Sequence, residues 1–163
     1  MKTLLLMRHA KSSWDDESLS DHERTLNDRG RRDAPRMGRL LKAEKLIPQR
    51  ILTSSATRAQ ATAKLLVHEI KHAGPMIVDD DLYHATVATV LTTIQRQPDD
   101  VDVLLVVGHN PNLESLVLAL LRRRELIPTA AIIRIDYEFD RWSDLSPESI
   151  PEAFHIWRPK ELD

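Results

Sequence analysis

The sequence predicts an α/β fold in three layers: a mostly parallel sheet with helices on both faces. Two observations predict it. Short apolar runs of strand length alternate with longer segments whose apolar residues recur at spacings of three and four. The clearest run, Val101 to Val107 broken only by Asp102, is rich in Val and Leu with little alternation, as expected of a strand covered on both faces.

In chain order, Leu4 to Met7 reads as the first strand and Asp28 to Glu44 as the first helix. Arg50 to Thr53 and Met76 to Val78 are further strands, separated by a helix over Ala56 to His72 that Gly74-Pro75 is expected to stop. Thr86 to Arg96 and Pro111 to Arg122 are helices on either side of the Val101–Val107 strand. Asn110-Pro111 offers a capping side chain followed by a proline at the first helical position. Ala131 to Tyr137 and Ala153 to Trp157 are terminal strands, and Ile135, Asp136 and Tyr137 alternate as in a half-exposed one. Pro35 interrupts the first helical pattern, so a kink or a later start is expected there.

Composition narrows the function. The 163 residues carry 23 Lys+Arg against 25 Asp+Glu, a formal charge of -2, with 42% hydrophobic residues and no Cys. A chain of this length buries roughly 68–70% of its unfolded surface, enough for one domain spanning 1–163 without a disulfide or metal. Near-neutrality argues against a clamp for a nucleic-acid backbone. The absence of Cys excludes thiolate nucleophiles and Cys-ligated zinc and fits a reducing compartment. The run Leu4-Leu5-Leu6-Met7 is too short for a signal-peptide core or a membrane span, so a cytoplasmic protein is expected, with no membrane partner.

In an open parallel sheet, ligands gather beyond the carboxyl ends of the strands. Arg8-His9-Ala10-Lys11-Ser12 follows the first strand, Ser54-Ser55-Ala56-Thr57-Arg58 the second, and Gly108-His109-Asn110-Pro111 the Val101–Val107 strand. Two His, two Arg and two helix starts would therefore meet on one rim. Arginine forks and free helix N–H groups suit a compact dianion, a phosphoryl group above all. Beside it, a neutral imidazole can attack phosphorus and carry the group covalently.

These segments resemble a known family. Leu6-Met7-Arg8-His9-Ala10-Lys11-Ser12, Leu26-Asn27-Asp28-Arg29-Gly30, Ser54-Ser55-Ala56-Thr57-Arg58-Ala59 and Val107-Gly108-His109-Asn110-Pro111 are similar, in order, to the motifs of the histidine phosphatase superfamily. The length and the Arg-His-Ala-Lys-Ser start resemble its small, SixA-type phosphohistidine phosphatase branch. The resemblance implies a phosphoglycerate mutase-like fold, with His9 as nucleophile and Arg8, Arg58 and His109 holding the phosphoryl group. It also implies Arg24 as a further phosphate ligand, and neither metal nor cofactor. Ala10 stands where the superfamily usually has Gly. Many members carry a Glu after the third strand to protonate the leaving group. This chain has Asp79-Asp80-Asp81-Leu82-Tyr83-His84, leaving Asp81 and Asp21 as candidate acids. A phosphoramidate nitrogen is more readily protonated than an alkoxide, so the missing Glu favours phosphohistidine on a signalling or phosphotransfer protein as substrate. A phosphatase or mutase of small phosphometabolites would share the same core residues, and a phosphoprotein-binding module without catalysis would share the ligand.

Other features have plainer readings. His68-Glu69-Ile70-Lys71-His72 spells a zinc-hydrolase pattern, but His68 and His72 fall opposite the apolar face of their helix, toward water. Arg29, Arg32, Arg36 and Arg39 form a stripe that is solvated or, alternatively, draws in an acidic phosphorylated partner. Arg122-Arg123-Arg124 complements a helix C-terminus. Trp14 is placed at the substrate entrance, and Trp142 and Trp157 against the terminal strands.

Overall fold

The computed structural model describes residues 1–71 and 73–162. Six strands form one sheet: β1 (Lys2–Arg8), β2 (Arg50–Ser54), β3 (Met76–Asp79), β4 (Val103–Gly108), β5 (Ile132–Tyr137) and β6 (Ala153–Trp157). Their order is β3-β2-β4-β1-β5-β6. The first four are parallel, and β5 and β6 complete the sheet antiparallel. Four helices connect them: α1 (Asp28–Ala43), α2 (Thr57–Glu69), α3 (Val87–Gln95) and α4 (Asn112–Leu121).

Alternation along the central strands divides the core in two. On one face Leu4, Leu6 and Val106 meet Val90 and Ile94 of α3 and Leu116 and Leu120 of α4. On the other, Leu5, Met7 and Val107 meet Met37 and Leu41 of α1 and Ala63 and Leu66 of α2. Each fully buried aliphatic side chain contributes about 1.5–3 kcal/mol, so both faces of β1 and β4 bind the layers together. This is the three-layer α/β/α sandwich that the sequence predicts.

Several local expectations are revised. α1 runs without a later start from Asp28 through Pro35. The carbonyl that loses its donor belongs to Arg31, an exposed residue, so the helix tolerates the ring. α2 ends at Glu69, ahead of Gly74. Gly74 instead allows a close backbone approach: a Cβ there would lie 1.6 Å from the Gln49 carbonyl oxygen. Pro111 is the boundary residue of α4 rather than its first helical residue. The capping bond still comes from Asn110, whose side chain accepts from the Glu114 N–H at 3.3 Å. β5 is not half-exposed, since Ile135, Asp136 and Tyr137 are all buried. Asp136 is satisfied there by the Thr3 hydroxyl at 2.7 Å and by Arg134.

The topology fixes where a ligand can sit. β1 and β4 are neighbours, with Arg8 level with Gly108. Beyond their ends the chain leaves toward opposite faces, to α1 from β1 and to α4 from β4. That divergence opens a crevice at the carboxyl edge of the sheet. No described helix is long and apolar enough to cross a membrane.

Candidate active site

The register that levels Arg8 with Gly108 also brings together the residues that follow them. The His9 N–H donates to the Gly108 carbonyl at 3.0 Å, and the rings of His9 and His109 lie 5.1 Å apart, tilted by 54°. Arg58, in the first turn of α2, enters from β2 on the far side of β4. A cavity of about 400 Å³ opens here. Arg8, His9, Arg24, Arg58, His109 and Asp21 all line it, so the structure gathers every sequence-predicted site residue except Asp81.

The loop between β1 and α1 is held as a rigid wall. Gly30 lets the first turn of α1 press on it, since a Cβ there would lie 2.1 Å from the Lys11 carbonyl oxygen. The Asn27 N–H donates to that same oxygen at 3.0 Å, and the Ser13 N–H to Thr25 at 2.8 Å. The Thr57 N–H at the start of α2 donates to the His22 carbonyl at 3.0 Å. Fully buried Thr62 joins wall and helix: its hydroxyl accepts from the Ala10 N–H at 2.9 Å and donates to the Arg58 carbonyl at 2.7 Å.

The tautomer of His9 follows from its partners. Nδ1 lies 2.7 Å from the Ala10 carbonyl, which only accepts, so Nδ1 carries the hydrogen. Nε2 is then a lone pair, and the Arg58 Nε–H donates to it at 3.4 Å. Burial pushes His9 down to about 3 against the pull of the Ala10 carbonyl, and His109, Arg58 and Arg8 lower it further. Burial and then Arg58 push His109 down to about 4, and its Nε2 is 2.8 Å from the Ser54 hydroxyl. At neutral pH both rings are uncharged.

Asp21 organises the cations. Its carboxylate accepts from the Tyr83 hydroxyl at 2.6 Å and from Arg24 Nη1 and Arg58 Nη2, each at 3.1 Å, while its backbone carbonyl accepts from Arg58 Nη1 at 2.7 Å. The Tyr83 hydrogen bond, then Arg24 and Arg58, hold this carboxyl far below the usual range. Asp21 is therefore an acceptor without a proton to give. Arg24 is further fixed by the Ser12 hydroxyl and the Ser13 carbonyl, and its guanidinium lies 3.1 Å from the centre of the Trp14 ring. Trp14 is 70% exposed at the cavity, as expected of an entrance residue. Arg8 donates Nη1 to the Ile127 carbonyl at 3.2 Å, and its buried Nε has no hydrogen-bond partner among the described residues. Such a donor costs about 1–3 kcal/mol until a ligand satisfies it.

Asp81 is an exposed residue of a short 3-10 turn, its N–H on the Asp79 side chain at 2.9 Å, and it does not line the cavity. The turn instead delivers Tyr83 and His84, which sequence reasoning passed over. Buried Leu82 and Ala85 on either side were the available signal, because they anchor this segment in the core. The two ends of the arginine stripe on α1 are tied into ion pairs, Arg29 with Asp33 at 3.5 Å and Arg39 with Glu69 of α2 at 3.2 Å. Trp142 is fully buried with its indole N–H on the Val101 carbonyl. His68 is exposed on α2, and His72 lies outside the described residues.

Comparison with known proteins agrees with this geometry. Residues 4–84 match the histidine phosphatase superfamily (branch 1). An uncharacterized protein of Mycobacterium tuberculosis is 35% identical over 169 residues, covering 93% of this chain and 100% of that one. A 2,3-bisphosphoglycerate-dependent phosphoglycerate mutase of Azorhizobium caulinodans is 37% identical over 81 residues, 48% of this chain and 39% of its own. Among solved structures, a candidate phosphohistidine phosphatase SixA from Agrobacterium tumefaciens superposes with a TM-score of 0.78 at 26% identity, over 83% of this chain and 92% of that one. A protein histidine phosphatase SixA complexed with tungstate gives 0.84 at 22% identity over 99% of each chain. With a neutral His9 set among arginines where β1 and β4 part, the chain belongs to the histidine phosphatase superfamily and has the fold of its SixA-type phosphatases.

Proposed function

We propose that this chain is a phosphohistidine phosphatase acting through a covalent intermediate on His9. The observation that carries the reading is the state of that ring: neutral, with Nδ1–H on Ala10 and the Nε2 lone pair among Arg8, Arg58 and His109. A neutral imidazole held in one tautomer is a competent nucleophile toward phosphorus. In the first step Nε2 attacks, the P–X bond breaks, and charge on the phosphoryl oxygens is met by Arg8, Arg24 and Arg58 with His109. In the second, water attacks phosphorus and the P–N bond to His9 breaks, returning the lone pair to Nε2. Positioned positive charge is the main catalytic resource in phosphoryl transfer, and the arginines supply it here.

The preference for a P–N bond rests on Asp21 and Asp81. Neither is built to donate a proton, since Asp21 is held ionised by three donors and Asp81 faces solvent away from the cavity. With no carboxylic acid placed at the leaving group, a nitrogen that takes its proton from a weaker donor is the substrate such a site handles best, and a phosphohistidine on a phosphotransfer protein is its biological form. The test compares kcat/KM on a phosphohistidine peptide, phosphoramidate and a panel of sugar phosphates. Higher turnover of the P–N compounds is expected. Equal or better turnover of the sugar phosphates would contradict the preference and indicate a small phosphometabolite phosphatase.

A further inference from the structure

When a P–N or P–O bond breaks, a proton must reach the leaving atom, and most titratable groups in this cavity are already committed. The His9 hydrogen is on Nδ1, bound to Ala10, and Nε2 is the attacking atom. His109 has Nε2 on Ser54 and stays unprotonated in its buried setting. Asp21 accepts from Tyr83, Arg24 and Arg58, and Tyr83 spends its hydroxyl proton on Asp21. Arginine does not release a proton. Two exposed lining groups are left, Lys11 and His84, and of the two side-chain types imidazole is the one that exchanges a proton readily near neutral pH.

We propose that His84 is the catalytic residue that gives the leaving group its proton and takes one from the attacking water. His84 has a left-handed backbone, φ 54, immediately after Tyr83. Buried Leu82 and Ala85 fix the segment on both sides, so the turn is not free to swing the ring away. The His84 ring lies 4.0 Å from the Tyr83 ring at 39°, the Tyr83 ring meets His109 edge-on at 5.6 Å, and His109 is 5.1 Å from His9. The four rings thus run along one wall from the nucleophile to the rim. His84 makes no hydrogen bond among the described residues; it meets the Tyr83 ring, acts electrostatically on His109, and shares the cavity lining with Asp21 and Arg58. Imidazole is the side chain that both holds and yields a proton near neutral pH.

This role rests on the phospho-His9 reading, and the steps balance. As Nε2 of His9 bonds to phosphorus and the P–X bond breaks, the electron pair stays on X and the His84 imidazolium passes it a proton, releasing HX and leaving His84 neutral. Neutral His84 then takes a proton from water as its oxygen bonds to phosphorus. The P–Nε2 bond breaks, phosphate leaves, and the imidazolium is restored.

The experiment measures kcat/KM on phenyl phosphates graded from 4-nitrophenyl, whose oxide leaves easily, to unsubstituted phenyl. Wild type is compared with His84→Asn, because Asn tolerates a left-handed backbone. His84→Gln serves as a second variant, and thermal melts confirm folding. The loss is expected to grow along the series, from about tenfold or less at 4-nitrophenyl to about a hundredfold at phenyl, the range for one general acid. A uniform loss, or none, overturns the role of His84. Phosphoenzyme trapped from 4-nitrophenyl phosphate by an alkaline, acid-free quench reports separately on His9: its absence in wild type overturns the covalent reading, whatever the slope shows.

Discussion

Arg58 donates its Nε–H to Nε2 of His9 at 3.4 Å while its two terminal nitrogens are held by Asp21, through the carboxylate at 3.1 Å and the backbone carbonyl at 2.7 Å. The carboxylate thereby aims the guanidinium at Nε2 of His9. A phosphoryl group arriving at Nε2 would find the arginine already oriented, with no reorganisation left to perform.

If Asp21 positions rather than protonates, Asp21→Asn removes the charge that orients Arg58 and Arg24 and puts an amide N–H against them. The expected outcome is a loss of about a hundredfold in kcat/KM, the scale of a misplaced catalytic group. The loss should be the same for 4-nitrophenyl and phenyl phosphate. Steady-state kinetics on both esters check it, and a loss concentrated on phenyl phosphate would make Asp21 the acid.

Thr62→Val keeps the shape of a fully buried side chain and deletes its hydroxyl. The Ala10 N–H, which donates to that hydroxyl at 2.9 Å, is then buried without a partner. Chemical denaturation should show a loss of about 1–3 kcal/mol. Activity should fall with it, because the loop carrying His9 is no longer tied to the helix carrying Arg58.

The pH dependence of stability follows from His9. Its folded pKa, about 3, lies below the unfolded value of about 6.5. At pH 7 both states are neutral and the group contributes nothing. As pH falls from about 6.5 toward 3 the unfolded chain takes up a proton that the folded chain refuses, so stability drops. At pH 5.5 the cost is about 1 kcal/mol. Melting temperatures between pH 7.5 and 5 should fall less steeply for His9→Gln than for wild type. Parallel slopes would mean that His9 is charged in the folded protein.

The parts of the site legible in the sequence are those set by strand ends. His9, His109 and Arg58 follow strands whose apolar runs are unmistakable, and parallel pairing then forces them onto one edge. Asp21 was visible as a residue, but its role depends on Tyr83 and Arg58, 62 and 37 positions away, and no local pattern reports such partners. His84 was hidden by its backbone: a left-handed His after a single 3-10 turn reverses which residues face the cavity, and Asp81 points out where His84 points in. β5 misled for a similar reason. Its alternating pattern suggests a solvated face, yet the Thr3 hydroxyl and Arg134 satisfy Asp136 inside the sheet's cover.

If phosphorus passes through Nε2 of His9, rapid acid-free quenching of wild type with a labelled phosphoramidate or aryl phosphate, followed by peptide mapping, traps it there. A stoichiometric, acid-labile and base-stable phosphoryl group is expected on the peptide containing His9, absent from His9→Gln together with turnover. Turnover retained in His9→Gln, or label on any other residue, would contradict it.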